Sequence, residues 1–273
     1  MARQRANWKG KTALVTGASS GIGAATARLL AAQGLRVILT ARREDRLISL
    51  QGEIMRAGGH ADVLPGDLSD PLDRQRILEE LMSNHPVIDV LINNAGLGWY
   101  GYLKDMSSEL ASRMLQVNVA ALVELTMHLL PGMVTRGQGR IINISSISAA
   151  IPSQGIAIYG ATKSFIDSFT TALHRELTGS SVAVTTIRPG PVKSEFYELA
   201  ALQTGGNRIP AERFSITSER VAAAVWRAVR SPRRVMNVPW YLGIVPWVEI
   251  LFGWIIDLVG PVLLRRTAQT SKL

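Results

Sequence analysis

Residues 12–30 read TALVTGASSGIGAATARLL, and this stretch decides the fold. Thr12–Thr16 is short, apolar and partly β-branched, the composition of a buried strand. Gly17, Gly21 and Gly23 follow, and a helical pattern starts at once with Ala24, Ala25 and Thr26. Glycines at a strand-to-helix turn permit a tight bend. They also let the backbone approach a pyrophosphate at the helix N-terminus, where N–H groups lack partners. The spacing is GxxxGxG, not the GxGxxG of the commonest dinucleotide fingerprint. Gly17, Ser19, Ser20, Gly21, Ile22 and Gly23 are the expected cofactor-side residues of this turn.

Outward from this unit the same alternation continues. Arg36–Thr40, Ala61–Leu64, Ile88–Ile92, Arg140–Ser145, Val182–Ile187 and Arg234–Val238 read as strands. Ala24–Gln33, Arg43–Ala57, Ser107–Val134 and residues 157–178 read as helices. Short apolar strands separated by helices predict an α/β fold with a doubly wound, mostly parallel sheet and helices on both faces. No Pro/Ser-rich linker and no internal repeat divides the chain. The expectation is a single domain over 1–273, with a basic arm at 1–11, a catalytic core at 12–238 and an apolar, Trp-rich extension at 239–273.

Composition narrows the function. Of 273 residues, 47 % are apolar and 19 % charged, which excludes a disordered chain. The absence of Cys excludes a disulfide scaffold, a Cys-ligated zinc and a thiol nucleophile, and is compatible with a reducing, cytoplasmic setting. His60, His85, His128 and His174 have no metal-ligand spacing, so no metal is expected. The first ten residues lack the apolar run of a signal peptide or anchor. The net charge of +9 suggests nucleic acid until it is divided along the chain. Residues 12–226 carry 19 basic and 19 acidic side chains; the excess lies in Arg3, Arg5, Lys9 and Lys11, in Arg227, Arg230, Arg233 and Arg234, and in Arg265, Arg266 and Lys272. A neutral core without interleaved basic and aromatic residues does not bind nucleic acid.

The end of the second strand selects the dinucleotide. An NAD site places a carboxylate there for the ribose 2′-hydroxyl. Here the chain has Ala41-Arg42-Arg43, and a guanidinium accepts a 2′-phosphate through charged hydrogen bonds. NADP(H) is therefore the expected cofactor, with Arg42 the first contact and Arg43 the second. Downstream, Ser146 follows a strand, and Tyr159 and Lys163 stand at i and i+4 on one helix face. A nearby ammonium stabilises phenolate and is expected to lower the phenol pKa towards neutral pH. Such a phenol exchanges a proton with a carbonyl or alcohol oxygen, and a Ser146 hydroxyl can hold the same oxygen.

These pieces together resemble the short-chain dehydrogenase/reductase family. The matching residues are Thr16–Gly23, Asp67-Leu68, Asn93-Asn94-Ala95-Gly96, Asn118, Ser146, Tyr159–Lys163 and Pro189-Gly190-Pro191-Val192. The resemblance implies a Rossmann-type sheet of about seven strands in the order 3-2-1-4-5-6-7. It implies Tyr159 as acid/base, Lys163 on the nicotinamide ribose, Ser146 on the substrate oxygen and Asn118 holding a relay water. Asp67 and Leu68 would meet the adenine, Asn94, Ala95 and Gly96 would support the cofactor side, and Pro189, Gly190 and Val192 would lie near the nicotinamide. Ser194 stands where the family often has Thr, and its hydroxyl can serve the same carboxamide. A homodimer or homotetramer, through the helices at 107–134 and 157–178, is implied as well.

Three segments are expected to meet the substrate: Leu97–Tyr102, Ile151–Ile158, and Glu195 to about Thr217, with Phe196, Tyr197, Leu199, Leu202, Ile209 and Phe214. Their lining is apolar, so the expected reaction is hydride transfer between NADP(H) and a hydrophobic ketone or secondary alcohol, lipid-, steroid- or 3-ketoacyl-like. The competing reading is a catalytically silent dinucleotide-binding or membrane-associated scaffold. Residues 240–264 contain 18 apolar side chains and only Glu249 and Asp257 as charges, with Trp240, Trp247 and Trp254 seven apart. Pro246 suits the first turn of a helix running to about Val259; about 20 Å of helix falls short of a bilayer and the carboxylates of Glu249 and Asp257 oppose insertion, so a true transmembrane anchor is the disfavoured alternative. The segment covers the cleft, packs on a partner subunit, or meets a membrane surface peripherally, with Trp and the flanking Arg at the headgroups.

Overall fold

The computed structural model describes residues 7–203, 206 and 215–270, the side chains of residue 256 and of residues 259–270 excepted. Arg3, Arg5, Ile209, Phe214 and Lys272, and the side chains of Arg265 and Arg266, lie outside the described residues. Seven strands form among these: β1 (Thr12–Thr16), β2 (Arg36–Thr40), β3 (His60–Val63), β4 (Val90–Asn93), β5 (Gly139–Ile144), β6 (Val182–Pro189) and β7 (Val235–Val238). All neighbours pair in parallel, in the order β3-β2-β1-β4-β5-β6-β7. The doubly wound sheet expected from the sequence is present. The third to seventh strands shift by one or two residues from the expected bounds, because the hydrogen-bonded ladder and not the apolar run sets where a strand stops.

Both faces of the sheet are covered, which is why its strands read as continuous apolar runs. Along β1, Ala13 and Val15 enter one layer and Leu14 the other. The first layer joins α1 (Gly21–Ala32), α2 (Glu44–Arg56) and α8 (Ser218–Arg230). The small residues Ala24, Ala27 and Ala31 of α1 share this core with Val221, Val225 and Val229 of α8. The second layer joins α3 (Pro71–Asn84), α5 (Ala121–Thr135) and α6 (Ala157–Glu176) through Ile77, Leu125 and Leu173. Side-chain caps define several starts: Asp70 accepts from Leu72 N on α3, and Thr217 from Arg220 N on α8.

Two expected helices differ in form. The helix expected over Ser107–Val134 is α4 (Ser108–Leu115) and α5, joined by one π-helical turn at Gln116–Ala120. At the C-terminal end, a 3₁₀ turn at Trp240–Ile244 leads into α9 (Val245–Thr270), after the short α7 (Phe196–Ala201) earlier in the chain. α9 does not stop near Val259 but runs on through Gly260-Pro261. A proline there removes one N–H, and the helix formers Leu263, Leu264, Arg265 and Arg266 follow it. Twenty-six residues measure about 39 Å, so the argument from length against a spanning helix lapses. The cost of carrying Glu249 and Asp257 into hydrocarbon remains.

Candidate active site

The carboxyl ends of β1, β2, β4, β5 and β6 open on a cavity of about 880 Å³. Nearly all of the residues singled out in the sequence line it: Gly17, Ser19, Ser20, Gly21, Ile22, Arg42, Arg43, Asp67, Leu68, Asn94, Ala95, Gly96, Ser146, Tyr159, Lys163, Pro189, Gly190, Val192 and Ser194. Gly23 and Asn118 do not, and each acts behind the wall.

The turn after β1 is built by backbone contact. Gly17 has φ +66° and Gly21 φ +53°, both in the left-handed region that glycine tolerates. A Cβ at Gly17 would lie 2.9 Å from Ala95 Cα, and one at Gly23 would collide with the Gly17 carbonyl. Asn94 closes the turn from β4: its Nδ2 donates to Thr16 O at 2.9 Å and Gly17 O at 3.3 Å. Thr16 Oγ1 accepts from the N–H groups of Asn94 and Ala95, both at 3.0 Å. At the start of α1, Ser20 makes no side-chain cap bond and the first turn holds no acidic residue. The leading N–H groups thus stay free for an anion, and the cradle fits a pyrophosphate.

At the adenosine end, Arg43 and not Arg42 reaches the turn. Its Nη2 donates to Ser19 Oγ at 3.1 Å and Ser20 Oγ at 3.0 Å, and its Nη1 to Glu195 Oε2 at 2.9 Å. Arg42 leans towards Asp67, 3.9 Å away, while Asp67 Oδ1 accepts from Ser69 N and Oγ. Glu195 also accepts from Arg46, and the two guanidiniums hold its carboxyl below the usual range. The Leu68 carbonyl is fixed by buried Arg74, which also pairs with Glu124. Neither Arg46 nor the tie of Glu195 to the turn was legible in the sequence; the partners are 152 residues apart.

At the other end, Tyr159 and Lys163 share one face of α6. Lys163 is 4 % exposed; its Nζ donates to Ile144 O at 3.0 Å and lies 5.7 Å from the Tyr159 ring centroid. Burial lowers the Lys163 pKa to about 8, against the pull of Asp167 one turn along, which itself pairs with Arg188 at 2.7 Å. Tyr159 departs from expectation. Burial pushes its phenol above the ordinary value, opposed by a hydrogen bond with Ser146 and reinforced by Tyr197. The ammonium does not win because it bonds a carbonyl and the phenol sits in apolar surroundings, with the Phe196 ring 5.7 Å away. Ser146 caps the 3₁₀ turn at Ile147–Ala149, accepting from Ser148 N at 3.1 Å, and donates to Ser148 Oγ at 3.2 Å.

Asn118 is held in the π turn and is 1 % exposed. Its Nδ2 donates to Leu97 O and Thr162 Oγ1, both at 3.0 Å, and its Oδ1 accepts from Leu97 N at 2.8 Å. Both amide donors are spent on protein, leaving one lone pair on Oδ1 for any water. Beyond Tyr159 the cavity is lined by Leu97, Trp99, Ile151, Ile156, Phe196 and Leu199, with Phe196 closing over Gly98. Tyr102 and Leu202 do not line it. Val192 is set by a parallel bridge to Ile216, and its N–H donates to Tyr197 Oη at 3.3 Å.

Comparison with known proteins agrees with this architecture. The chain is 34 % identical over 235 residues to a serine 3-dehydrogenase of Agrobacterium fabrum, covering 82 % of this chain and 90 % of that one. It is 36 % identical over 185 residues to a fatty acyl-CoA reductase of Acinetobacter baylyi, covering 67 % and 63 %. A short-chain dehydrogenase from Sphingobium yanoikuyae, solved in complex with NADPH, superposes with TM-score 0.78 at 30 % identity, over 91 % of this chain and 95 % of that one. The family model for short chain dehydrogenases matches residues 11–203, and on that match and these relatives the chain belongs to the short-chain dehydrogenase family of oxidoreductases.

Proposed function

We propose that this protein is an NADP(H)-dependent carbonyl reductase, or the reverse alcohol dehydrogenase, for a bulky apolar ketone or secondary alcohol. The observation that carries the reading is the position of Tyr159. It stands where the polar half of the cavity, from Arg42 to Lys163, gives way to the apolar half around Trp99 and Phe196. When bound, NADPH supplies the hydride. Tyr159, kept protonated by burial, donates its proton to the carbonyl oxygen, and Ser146 Oγ turns from Ser148 to donate to the same oxygen. Lys163 stabilises the phenolate left behind. Arg42 and Arg43 would hold the 2′-phosphate, the turn Gly17–Gly23 the pyrophosphate, Asp67 and Leu68 the adenine, and Val192 and Ser194 the nicotinamide.

The choice of substrate rests on charge. Among the described residues, Arg42, Arg43, Asp67 and Lys163 are the charged side chains on the cavity. Three lie at the adenosine end, and Lys163 is turned onto the Ile144 carbonyl. Among the described residues no cation remains at the reacting end to hold a substrate carboxylate, which favours an uncharged, lipid-like ketone over an amino acid. The exposed Leu115, Met127, Val134 and Phe165 on α4, α5 and α6 support a homodimer or homotetramer through those helices. Residues 240–264 are assigned to contact with a membrane surface. The test is NADPH oxidation over a panel of 3-keto lipids, ketosteroids and long-chain aldehydes, set against NADP+ reduction by L-serine. Turnover of the apolar carbonyls carries the reading; oxidation with none of them would leave a silent dinucleotide-binding scaffold.

A further inference from the structure

We infer that α9 and the 3₁₀ turn before it form a docking face for a lipid bilayer surface, and that the substrate reaches the cavity across this contact. The second half rests on the apolar-ketone reading; the first stands without it. The argument begins with the way α9 is turned. At about 100° per residue, a helix of a water-soluble domain places its apolar stripe on the core and its charges in water. Here the apolar residues face water instead, and of the two charges only Glu249 turns inward, while Asp257 is exposed at the edge of the apolar arc. Trp247, Ile250, Leu251, Trp254 and Leu258 are all more than 60 % exposed. Glu249 and Gly253 face inward, and Glu249 folds against Gly253 with Oε2 buried and without a hydrogen-bond partner.

The exposed arc, from Ile250 round to Phe252, covers about 200° of the helix, wider than the seam a paired helix buries. That width favours a fluid apolar medium over a second copy of the chain. The flanks point to the same medium. Trp240, 82 % exposed, and Tyr241 extend the face onto the 3₁₀ turn, and amphipathic aromatics suit the headgroup zone. Arg233 and Arg234, exposed just before β7, lie at the opposite end of that strand from α9 and do not flank this face. The face is also continuous with the site: Ile255 of α9 lines the cavity together with Leu199 and Phe196. A lipid-like ketone leaving the bilayer at α9 therefore enters the apolar half of the cavity without crossing water.

The full chain is sedimented with vesicles of phosphatidylcholine and phosphatidylglycerol, beside the double variant Trp247→Glu/Trp254→Glu. Both positions are exposed, so the melting temperature and the mass in solution check that the variant folds. The docking face predicts that the full chain binds and that the variant's bound fraction falls about tenfold, with its turnover of a short water-soluble ketone unchanged. It also predicts a comparable loss of rate on a long-chain ketone dissolved in the vesicles. Absence of binding by the full chain, or equal binding by the variant, overturns the docking face. A multimer that the variant dissociates, without vesicle binding, overturns it in favour of a second copy. Equal rates on the vesicle-borne ketone overturn delivery alone. Binding without turnover of any ketone overturns the enzymatic reading and leaves the face standing.

Discussion

At the adenosine end of the cleft, the side chains of Arg43, Arg46 and Glu195 are each a third or more exposed and hold one another in a chain of ion pairs. At the reacting end, Lys163 is buried, bonds a single carbonyl, and lies beside a phenol that burial keeps protonated. The same kinds of charge do different work because of the water around them. Exposed ions are screened, so the pairs at this end of the cleft rearrange at small cost. Buried groups feel their neighbours and the loss of water strongly, so the protonation of Tyr159 and Lys163 is set by packing.

The sharpest way to break this comparison is at the phenol. Tyr159→Phe removes the proton donor and little volume, and kcat is expected to fall by about 10²–10⁴-fold. NADPH affinity, read by quenching of protein fluorescence, should stay within about twofold, since the dinucleotide's phosphates bind elsewhere. Retained turnover would remove Tyr159 from the chemistry. Next in size is the guanidinium pair. Arg42→Ala/Arg43→Ala is expected to raise KM for NADPH by about 10–100-fold, the scale of charged hydrogen bonds, and to leave KM for NADH nearly unchanged. Equal losses for both cofactors would show that these arginines do not read the 2′-phosphate.

The pH profile separates the two ends in the wild-type chain. Burial lowers Lys163 to about pH 8, so it is charged below that value and loses its proton as pH rises through it. With Tyr159 still protonated there, kcat/KM for carbonyl reduction should be flat below pH 8 and fall up to about tenfold per unit above it. The doubly substituted arginine variant should keep the same profile at lower affinity. The smallest effect is expected at Glu195→Gln. This carboxylate occupies Arg43 and Arg46, which a 2′-phosphate would otherwise engage, so its loss should lower KM for NADPH by about 2–5-fold and spare NADH. A rise instead would mean that the strap to α7 supports cofactor binding.

Much of the molecule was legible in residue order because the signals are local or periodic. The apolar runs at Thr12–Thr16 and Arg36–Thr40, the glycines of the turn and the i, i+4 pair Tyr159–Lys163 each carry their meaning within one element. Their convergence then follows from a parallel sheet, whose strands all end on one edge. What residue order hid lies between elements. It ranked Arg42 over Arg43, since adjacent arginines at a strand end look alike until Ser19 and Ser20 are seen beside one of them. It gave no sign that the π turn spends both amide donors of Asn118 on Leu97 and Thr162.

The direction of the Tyr159 shift was misread for a related reason. An ammonium four residues away is visible in the sequence, whereas the loops that remove water from the phenol are not. The apolar content of residues 240–264 was evident from composition, but which side of α9 faces outward was not. Fold class, the glycine turn and the side chains that meet at the cavity thus came from the sequence alone, because hydrophobic period and glycine geometry act over a few residues. The partner of each charge, the protonation of Tyr159 and the outward face of α9 were decided by tertiary structure. Each depends on what excludes water from a given atom, and that is a property of distant segments brought together.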